Sequence, residues 1–192
     1  LTVSEAMASE IYQQSMHEED QFDVPEIAKI LGCWKGLSTK GERATVKELY
    51  TVDINDKKKL VPTEKIDPLK HAVAFTSTIS ESEKFAENFQ KVVDTYVDAL
   101  GLTETLVVET QHIDGKMNAN TRKNKLRWLA EDPEDNRCRI LSNAKCLSEG
   151  IDVPNLDAIM FMKPRRSQVD IIQAVGRVMR KAEGKKYGYI IL

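Results

Sequence analysis

The chain has 192 residues, with 28 lysines and arginines against 30 aspartates and glutamates and a formal net charge of −2. This length suits one globular domain with an attached segment, or two small domains, and a 41% hydrophobic content is too high for a disordered chain. No apolar run approaches the roughly 18 residues that a membrane span needs, and no signal peptide follows Leu1. We therefore expect a cytoplasmic protein with no membrane partner and, since there is no initiating methionine, a piece of a longer polypeptide.

Residues 1–69 differ from the rest of the chain and are predicted to be a partly helical accessory or linker segment. The hydrophobic pattern within this segment predicts helices over residues 3–17 and 25–34 and a short strand over residues 46–54. A domain is predicted to cover residues 70–192, where the pattern changes.

From residue 71, short apolar strands alternate with amphipathic helices. The predicted strands cover residues 71–77, 105–113, 137–143, 157–162 and 187–192. Capping signals predict the helix boundaries. The first helix begins at a Ser80–Glu83 capping box and ends at Gly101, and the second begins with Asn118 as its cap. The third begins at a capping signal formed by Ser167 and Asp170 and runs to Lys181. This alternation predicts an α/β fold in which helices cover both faces of a parallel sheet, with ligands beyond the carboxyl ends of the strands.

The cysteines and the charge distribution bear on whether the protein has a metal site and on the kind of partner that it binds. Cys33, Cys138 and Cys146 are odd in number and show no C-x-x-C spacing, so we interpret them as reduced structural thiols and predict no metal site. Residues 1–30 hold seven acids against one base, whereas residues 163–192 hold eight bases against two acids. A basic carboxyl-terminal end favours a polyanionic partner, although a solvated charged surface would give the same composition.

The most informative stretch runs from Gln173 to Arg180. At 100° per residue, Gln173, Gly176, Arg177 and Arg180 share one narrow arc of a helix. Two guanidinium groups one turn apart can hold phosphate oxygens, and the glycine permits close approach by a ligand or another chain. The opposite arc is predicted to be a buried apolar face made of Ile171, Ile172, Val175, Val178 and Met179.

This Q-x-x-G-R-x-x-R stretch resembles motif VI of superfamily 2 helicases and translocases. Residues 142–154, which contain Gly150-Ile-Asp152-Val-Pro, look like their motif V, and residues 71–78 look like motif IV. The H-x-x-G sequence at residues 112–115, with Arg122 and Leu126 after it, also matches the pattern of that domain. The amino-acid sequence of residues 71–192 is similar to the helicase part of bacterial restriction enzymes, above all the single-polypeptide type ISP group.

The resemblance implies the second RecA-like domain, of P-loop NTPase fold, of a two-domain motor. No G-x-x-x-x-G-K-[ST] loop and no Asp-Glu dipeptide occurs in the sequence. By resemblance, those parts belong to a first RecA-like domain, which would hold most of the ATP and Mg²⁺. The chain alone is therefore expected to be inactive, and its implied partners are that first domain and DNA, duplex or single-stranded, in the bacterial cytoplasm.

The same resemblance assigns roles to individual residues. It makes Arg180 the better candidate for an arginine finger on the γ-phosphate, with Arg177 as its companion and Gln173 orienting both. Cofactor-binding positions are expected at Gly150, Asp152 and Gly176. Contacts with nucleic-acid phosphates are expected at Thr76, Ser77, Thr78, Ser142, Asn143 and Lys145. For the hydroxyl groups among them, strand-end capping is the alternative interpretation.

Other residues favour structural interpretations. His112 at a strand end is predicted to be structural, and Glu131 to Asp135 to be a polar loop rather than a metal site. Trp34 and Trp128 could stack on bases, but we predict that they lie in the core.

Two functional alternatives remain at this point. One is a non-catalytic nucleic-acid-binding or interaction module of the same fold. The other is a nucleotide-binding α/β domain of an unrelated enzyme, which the absence of G-x-G-x-x-G after any predicted strand disfavours.

Overall fold

The computed structural model describes residues 24–38, 50–52, 58–60, 68–144, 153, 155–163, 168–180, 185 and 188–191. The helices in these ranges are α1 (Val24–Leu37), α2 (Ile79–Leu100), α3 (Ala119–Ala130) and α4 (Gln168–Val178). The strands are β1 (Tyr50–Val52), β2 (Lys58–Leu60), β3 (His71–Thr76), β4 (Val107–Ile113), β5 (Arg137–Ala144), β6 (Ala158–Phe161) and β7 (Tyr189–Ile191). The predicted helix over residues 3–17 lies outside the described residues.

Five strands form a parallel sheet, as the alternating pattern predicted, and their order in it is β4-β5-β3-β6-β7. β3 lies at its centre and pairs with β5 from His71 opposite Arg139 to Thr76 opposite Ala144. The short strands β1 and β2 pair separately as an antiparallel ribbon. No helix within the described ranges is long and apolar enough to cross a membrane.

Side chains of β3 alternate between two apolar cores, one on each face of the sheet. Ala72 and Ala74 belong to the first core, which also contains residues of α1 and α2. Val73 and Phe75 belong to the second, which also contains residues of α3 and α4. Because successive side chains of a strand point to opposite faces, this six-residue strand requires helices on both sides.

Helix α1 comes from the predicted accessory segment and packs on the sheet. Trp34 is buried, its indole Nε1 donates to the carbonyl oxygen of Leu106 at 2.9 Å, and its ring meets that of Tyr96 edge to face. Cys33 and Cys138 are buried free thiols, as predicted, and burial raises the pKa of Cys33 to about 12. Part of the segment before residue 70 therefore completes the first core, and the division at residue 69 stays a prediction.

The start of α2 differs from the sequence-based prediction. Its N-cap is Thr78, whose side chain accepts from the N–H of Glu81, while the Glu81 carboxylate accepts from the N–H of Thr78. The predicted Ser80–Glu83 box was wrong because the T-x-x-E spacing two residues earlier forms the box at the point where β3 ends. The stops were predicted correctly, since Gly101 ends α2 in the left-handed conformation and Asn118 caps α3.

We expect Thr78→Ala to lower the free energy of unfolding by about 1 kcal/mol, since one cap hydrogen bond is lost. Ser80→Ala is the matched control and should change it by less than about 0.5 kcal/mol. Urea unfolding of both variants checks this, and equal losses would contradict the observed cap.

Candidate functional site

The carboxyl ends of β3, β4, β5 and β6 meet at one edge of the sheet because the strands are parallel. Most of the described residues that resemble nucleic-acid contacts in motor domains lie at this edge. They are Thr76 at the end of β3, Ser77 and Thr78 just after it, and Ser142 and Asn143 in β5. Lys145, Gly150 and Asp152 lie outside the described residues.

Three of these side chains are closed into the fold. Thr76 Oγ1 donates to the carbonyl oxygen of Asn143, and Asn143 Nδ2 donates to that of Ala74, each at 3.1 Å. Ser142 and Asn143 have no solvent-exposed area, and Thr76 is 3% exposed. The strand-end capping interpretation therefore describes Thr76, Ser142 and Asn143 better than direct side-chain contact with a phosphate.

A buried polar network extends from Ser142. Its hydroxyl lies 2.8 Å from that of Ser82, and Ser82 Oγ lies 2.7 Å from His112 Nδ1. His112 Nε2 lies 2.9 Å from Asp114 Oδ2. These bonds tie α2, β4 and β5 together, which supports the structural role predicted for His112, while nothing in the sequence pattern had indicated Ser82.

Asp114 is held as a carboxylate at the end of the network. Burial alone would raise its pKa, but hydrogen bonds from His112 and from the backbone N–H groups of Lys116 and Met117 outweigh burial, so the pKa is lowered. With Glu83, these groups place three possible metal-ligand atoms within 4.8 Å of one another. The hydrogen bonds at both nitrogens of His112 account for this cluster without an ion.

Ser77 and Thr78 are the exposed members of the predicted contact set. Their backbone N–H groups point at one side chain, since both donate to Glu81 Oε2, at 3.0 and 3.2 Å. Glu81 Oε1 is paired with Lys163, just beyond β6. Burial would raise the pKa of Glu81, but Lys163 and these N–H groups outweigh it and lower the pKa. A second anion at these donors would have to compete with the Glu81 carboxylate.

The residues of the predicted arginine face lie on helix α4 and, for Arg180, two residues beyond its end. Gly176 and Arg180 are exposed, and a Cβ at Gly176 would meet no atom within 4 Å in the described parts of the chain. The side chains of Gln173 and Arg177 are outside what the structure describes. The far end of α4 lies at the opposite edge of the sheet, because Val178 packs beside Gly188, which precedes β7.

The predicted apolar arc of α4 was partly wrong. Val178 is buried, but Ile172 is 69% exposed and Met179 is 61% exposed. The buried side of α4 instead includes Ala174. Periodicity alone could not place the face correctly, because apolar residues occur almost all round this helix and only packing decides which of them meet the sheet.

A parallel sheet of this order with helices on both faces defines the class as a RecA-like α/β domain. The sequence profile of the helicase conserved C-terminal domain matches residues 64–182. The chain therefore belongs to the helicase C-terminal domain family.

Known proteins resemble the chain to different extents. The structure of the ATP-dependent type ISP restriction-modification enzyme LlaBIII bound to DNA superposes with a TM-score of 0.73 and 38% identity, covering 98% of this chain and 11% of that one. The putative helicase 22 of Sulfolobus islandicus filamentous virus is 29% identical over 79 residues, which are 41% of this chain and 13% of that protein. A probable helicase of African swine fever virus is 42% identical over 53 residues, 28% of this chain and 6% of that protein. The chain thus spans only a small part of these relatives.

We expect Asp114→Asn to lower the free energy of unfolding by about 1–3 kcal/mol near pH 7, because the variant loses a buried, hydrogen-bonded carboxylate. The depressed pKa of folded Asp114 adds stability above the unfolded pKa of about 3.9. That stability is lost as pH falls through the folded value, so the difference from the natural protein should shrink below about pH 4.

Urea unfolding at several pH values measures this difference. Asp135→Asn, which changes an exposed acid, is the control and should leave the stability nearly unchanged. A difference for Asp114→Asn that stays constant with pH would contradict the assignment.

Proposed function

We propose that the chain is the second RecA-like motor domain of an ATP-dependent DNA helicase or translocase that forms part of a restriction-type enzyme in the bacterial cytoplasm. The observation that carries this proposal is the match over 98% of the chain, at 38% identity, to a type ISP enzyme bound to DNA. Family membership supports the motor class, and the similarity across almost the whole chain, α1 included, supports the restriction-type parent.

In this proposal, ATP and Mg²⁺ lie between this domain and the first RecA-like domain of the parent chain, which supplies the phosphate loop. The exposed position of Arg180 supports its role as the finger that stabilises charge on the γ-phosphate, with Arg177 as companion and Gln173 orienting the pair. Gly176 leaves room for close approach by the nucleotide or the partner domain. Gly150 and Asp152 complete the nucleotide-binding set.

The exposed apolar side chains of α4 fit the same arrangement. Ile172 and Met179 lie seven residues apart, two helical turns, and so share one stripe that runs beside the face of Gly176. Single exposed apolar residues are common, but two on the helix that also carries the arginines favour burial against another domain. We propose that the first RecA-like domain covers this stripe.

Nucleic-acid contact is proposed at the carboxyl edge, through the backbone N–H groups of Ser77 and Thr78 and the ammonium group of Lys163. The Glu81 carboxylate now holds all three groups, so a DNA phosphate would replace it. Thr76, Ser142 and Asn143 would then act by fixing the shape of this edge, and Lys145 would add a further phosphate contact.

The test of the catalytic assignment is ATP hydrolysis by the intact parent polypeptide. Arg180→Ala should lower DNA-stimulated kcat by roughly 10³-fold, as loss of an arginine finger does, and leave ATP binding nearly intact. Arg177→Ala should also lower kcat. Arg127→Ala, at an exposed arginine of α3, is the matched control and should keep normal turnover.

The outcomes of that assay separate the proposed functions. Near-normal turnover in Arg180→Ala would remove the finger assignment. If the unmutated parent polypeptide shows no DNA-stimulated ATP hydrolysis, that result would instead favour a non-catalytic nucleic-acid-binding module. The chain without the rest of its parent should hydrolyse no ATP.

The DNA contact predicts a salt effect. Lys163→Met should weaken DNA binding regardless of sequence and reduce the slope of log affinity against log salt by about one unit, since one phosphate contact is lost. Lys91→Met is the control, because it changes an exposed lysine that lies on α2 about 18 Å from the first residue of that helix. It should leave the slope unchanged. An unchanged slope in both variants would show that Lys163 does not contact the DNA.

A further inference from the structure

The carboxyl end of α4 is held by a side chain that comes after the helix. Val178 is the last residue of α4, so its carbonyl oxygen has no partner within the helix. Lys185 Nζ donates to this oxygen at 2.6 Å and to the carbonyl oxygen of Leu156 at 2.6 Å. One ammonium group therefore joins the end of α4 to the segment that enters β6.

Lys185 lies in a partly buried site near a carboxylate that is itself held by the backbone. Burial lowers the pKa of Lys185, and the nearby carboxylate of Asp157 opposes that shift. Asp157 is itself fixed, because its Oδ2 accepts from the backbone N–H groups of Lys70 and His71, each at 3.0 Å. The cation thus contacts two carbonyl oxygens and lies in the field of a carboxylate whose position is set by the start of β3.

The backbone just before β7 lies close against the other side of the helix end. A Cβ at Gly188 would overlap the carbonyl oxygen of Val178 and would also crowd its side chain. The N–H of Tyr189 donates to the carbonyl oxygen of Asp157 at 2.8 Å, which holds β7 in register beside this contact. The Val178 carbonyl is therefore fixed by Lys185 and by the backbone of Gly188.

Arg180 follows two residues after this fixed carbonyl. Met179 continues the helical hydrogen bonding, with its N–H donating to the carbonyl oxygen of Val175 at 3.0 Å. A tilt at Val178 would therefore pass directly to Arg180. Because a displacement of about 1 Å in a positioned group can lower a rate by about 10²-fold, such a tilt would matter for a finger.

We propose that Lys185 is a positioning residue for the arginine finger, acting by holding the carboxyl end of α4 against the segment before β6. This inference rests on the proposed function of Arg180, and it assigns Lys185 no contact with ATP. Lys185 belongs to no motif in the sequence, and what marks it is its two carbonyl contacts, 29 and 7 residues back along the chain.

The experiment is a double-mutant cycle on the intact parent polypeptide, with DNA-stimulated kcat and KM for ATP as readouts. Lys185→Met should lower kcat by about tenfold or more while KM changes little. In an Arg180→Ala background the same change should cost almost nothing further in kcat, because Lys185 acts through Arg180. A residue that only stabilised the domain would lower activity by the same factor in both backgrounds.

The control is Lys125→Met, which removes a half-buried lysine whose Nζ donates from α3 to Gln111 Oε1 in β4 at 3.3 Å. It breaks a comparable helix-to-strand tether elsewhere in the domain and should leave kcat unchanged. Should Lys185→Met fail to fold, Gly188→Ala displaces the Val178 carbonyl from the other side and is expected to give the same non-additive loss.

Each outcome has one meaning. Natural kcat in a folded Lys185→Met, or losses that multiply with Arg180→Ala, would overturn the positioning role and leave the proposed function standing. Natural kcat in Arg180→Ala alone would instead overturn the finger assignment itself, and the role of Lys185 with it.

Discussion

The burial of β3 along its whole length is the constraint on which the rest of the structure depends. All six of its residues are buried, its two neighbours in the sheet are both parallel to it, and its side chains enter two cores in turn. A strand in this position must be covered by helices on both faces. The carboxyl end of this strand also marks the edge at which the sheet stops. The exposed groups Ser77 and Thr78 lie where they do because β3 ends at Thr76.

The same constraint separates polar residues that build the edge from polar residues that can meet a ligand. Ser142 lies inside the layer, so its hydroxyl must find partners within the fold, and it does so with Ser82. Ser77, one residue beyond the last residue of β3, is exposed. Residue type is the same in both cases, and only the distance from the end of the strand decides the role.

Much of the fold could be predicted because its signals are local. The five strands of the parallel sheet were placed within two residues of their observed bounds, whereas β2 was not predicted. Gly101 and Asn118 were identified from stop and cap chemistry that acts within one helical turn. The box at the start of α2 was predicted incorrectly because two overlapping spacings fit the sequence. Glu81 is tied to Lys163, 82 residues further along the chain, which no local pattern contains.

The candidate site was predicted less completely for the same physical reason. Ile172 and Met179 were expected in the core because burial was inferred from hydrophobicity, whereas burial depends on what packs over the helix. Lys185 carried no signal at all, since its partners are backbone carbonyls and any sequence supplies those. Side-chain contacts to distant backbone groups can be identified only from coordinates.

Two lysine contacts, one after β6 and one before it, differ in how exposed they are. Lys163, after β6, pairs with Glu81 at the start of α2, where both side chains are partly exposed, and such a pair contributes about 0–1 kcal/mol. Lys185 joins the segment before β6 to the end of α4 through two charge-assisted bonds to carbonyls in a less exposed position. In the proposed function, the Lys163–Glu81 pair lies where a DNA phosphate would exchange with a carboxylate. Lys185 holds Val178, two residues before the proposed finger Arg180. On this proposal, β6 is the common reference for a contact that opens when DNA binds and for a helix end that stays fixed during ATP hydrolysis.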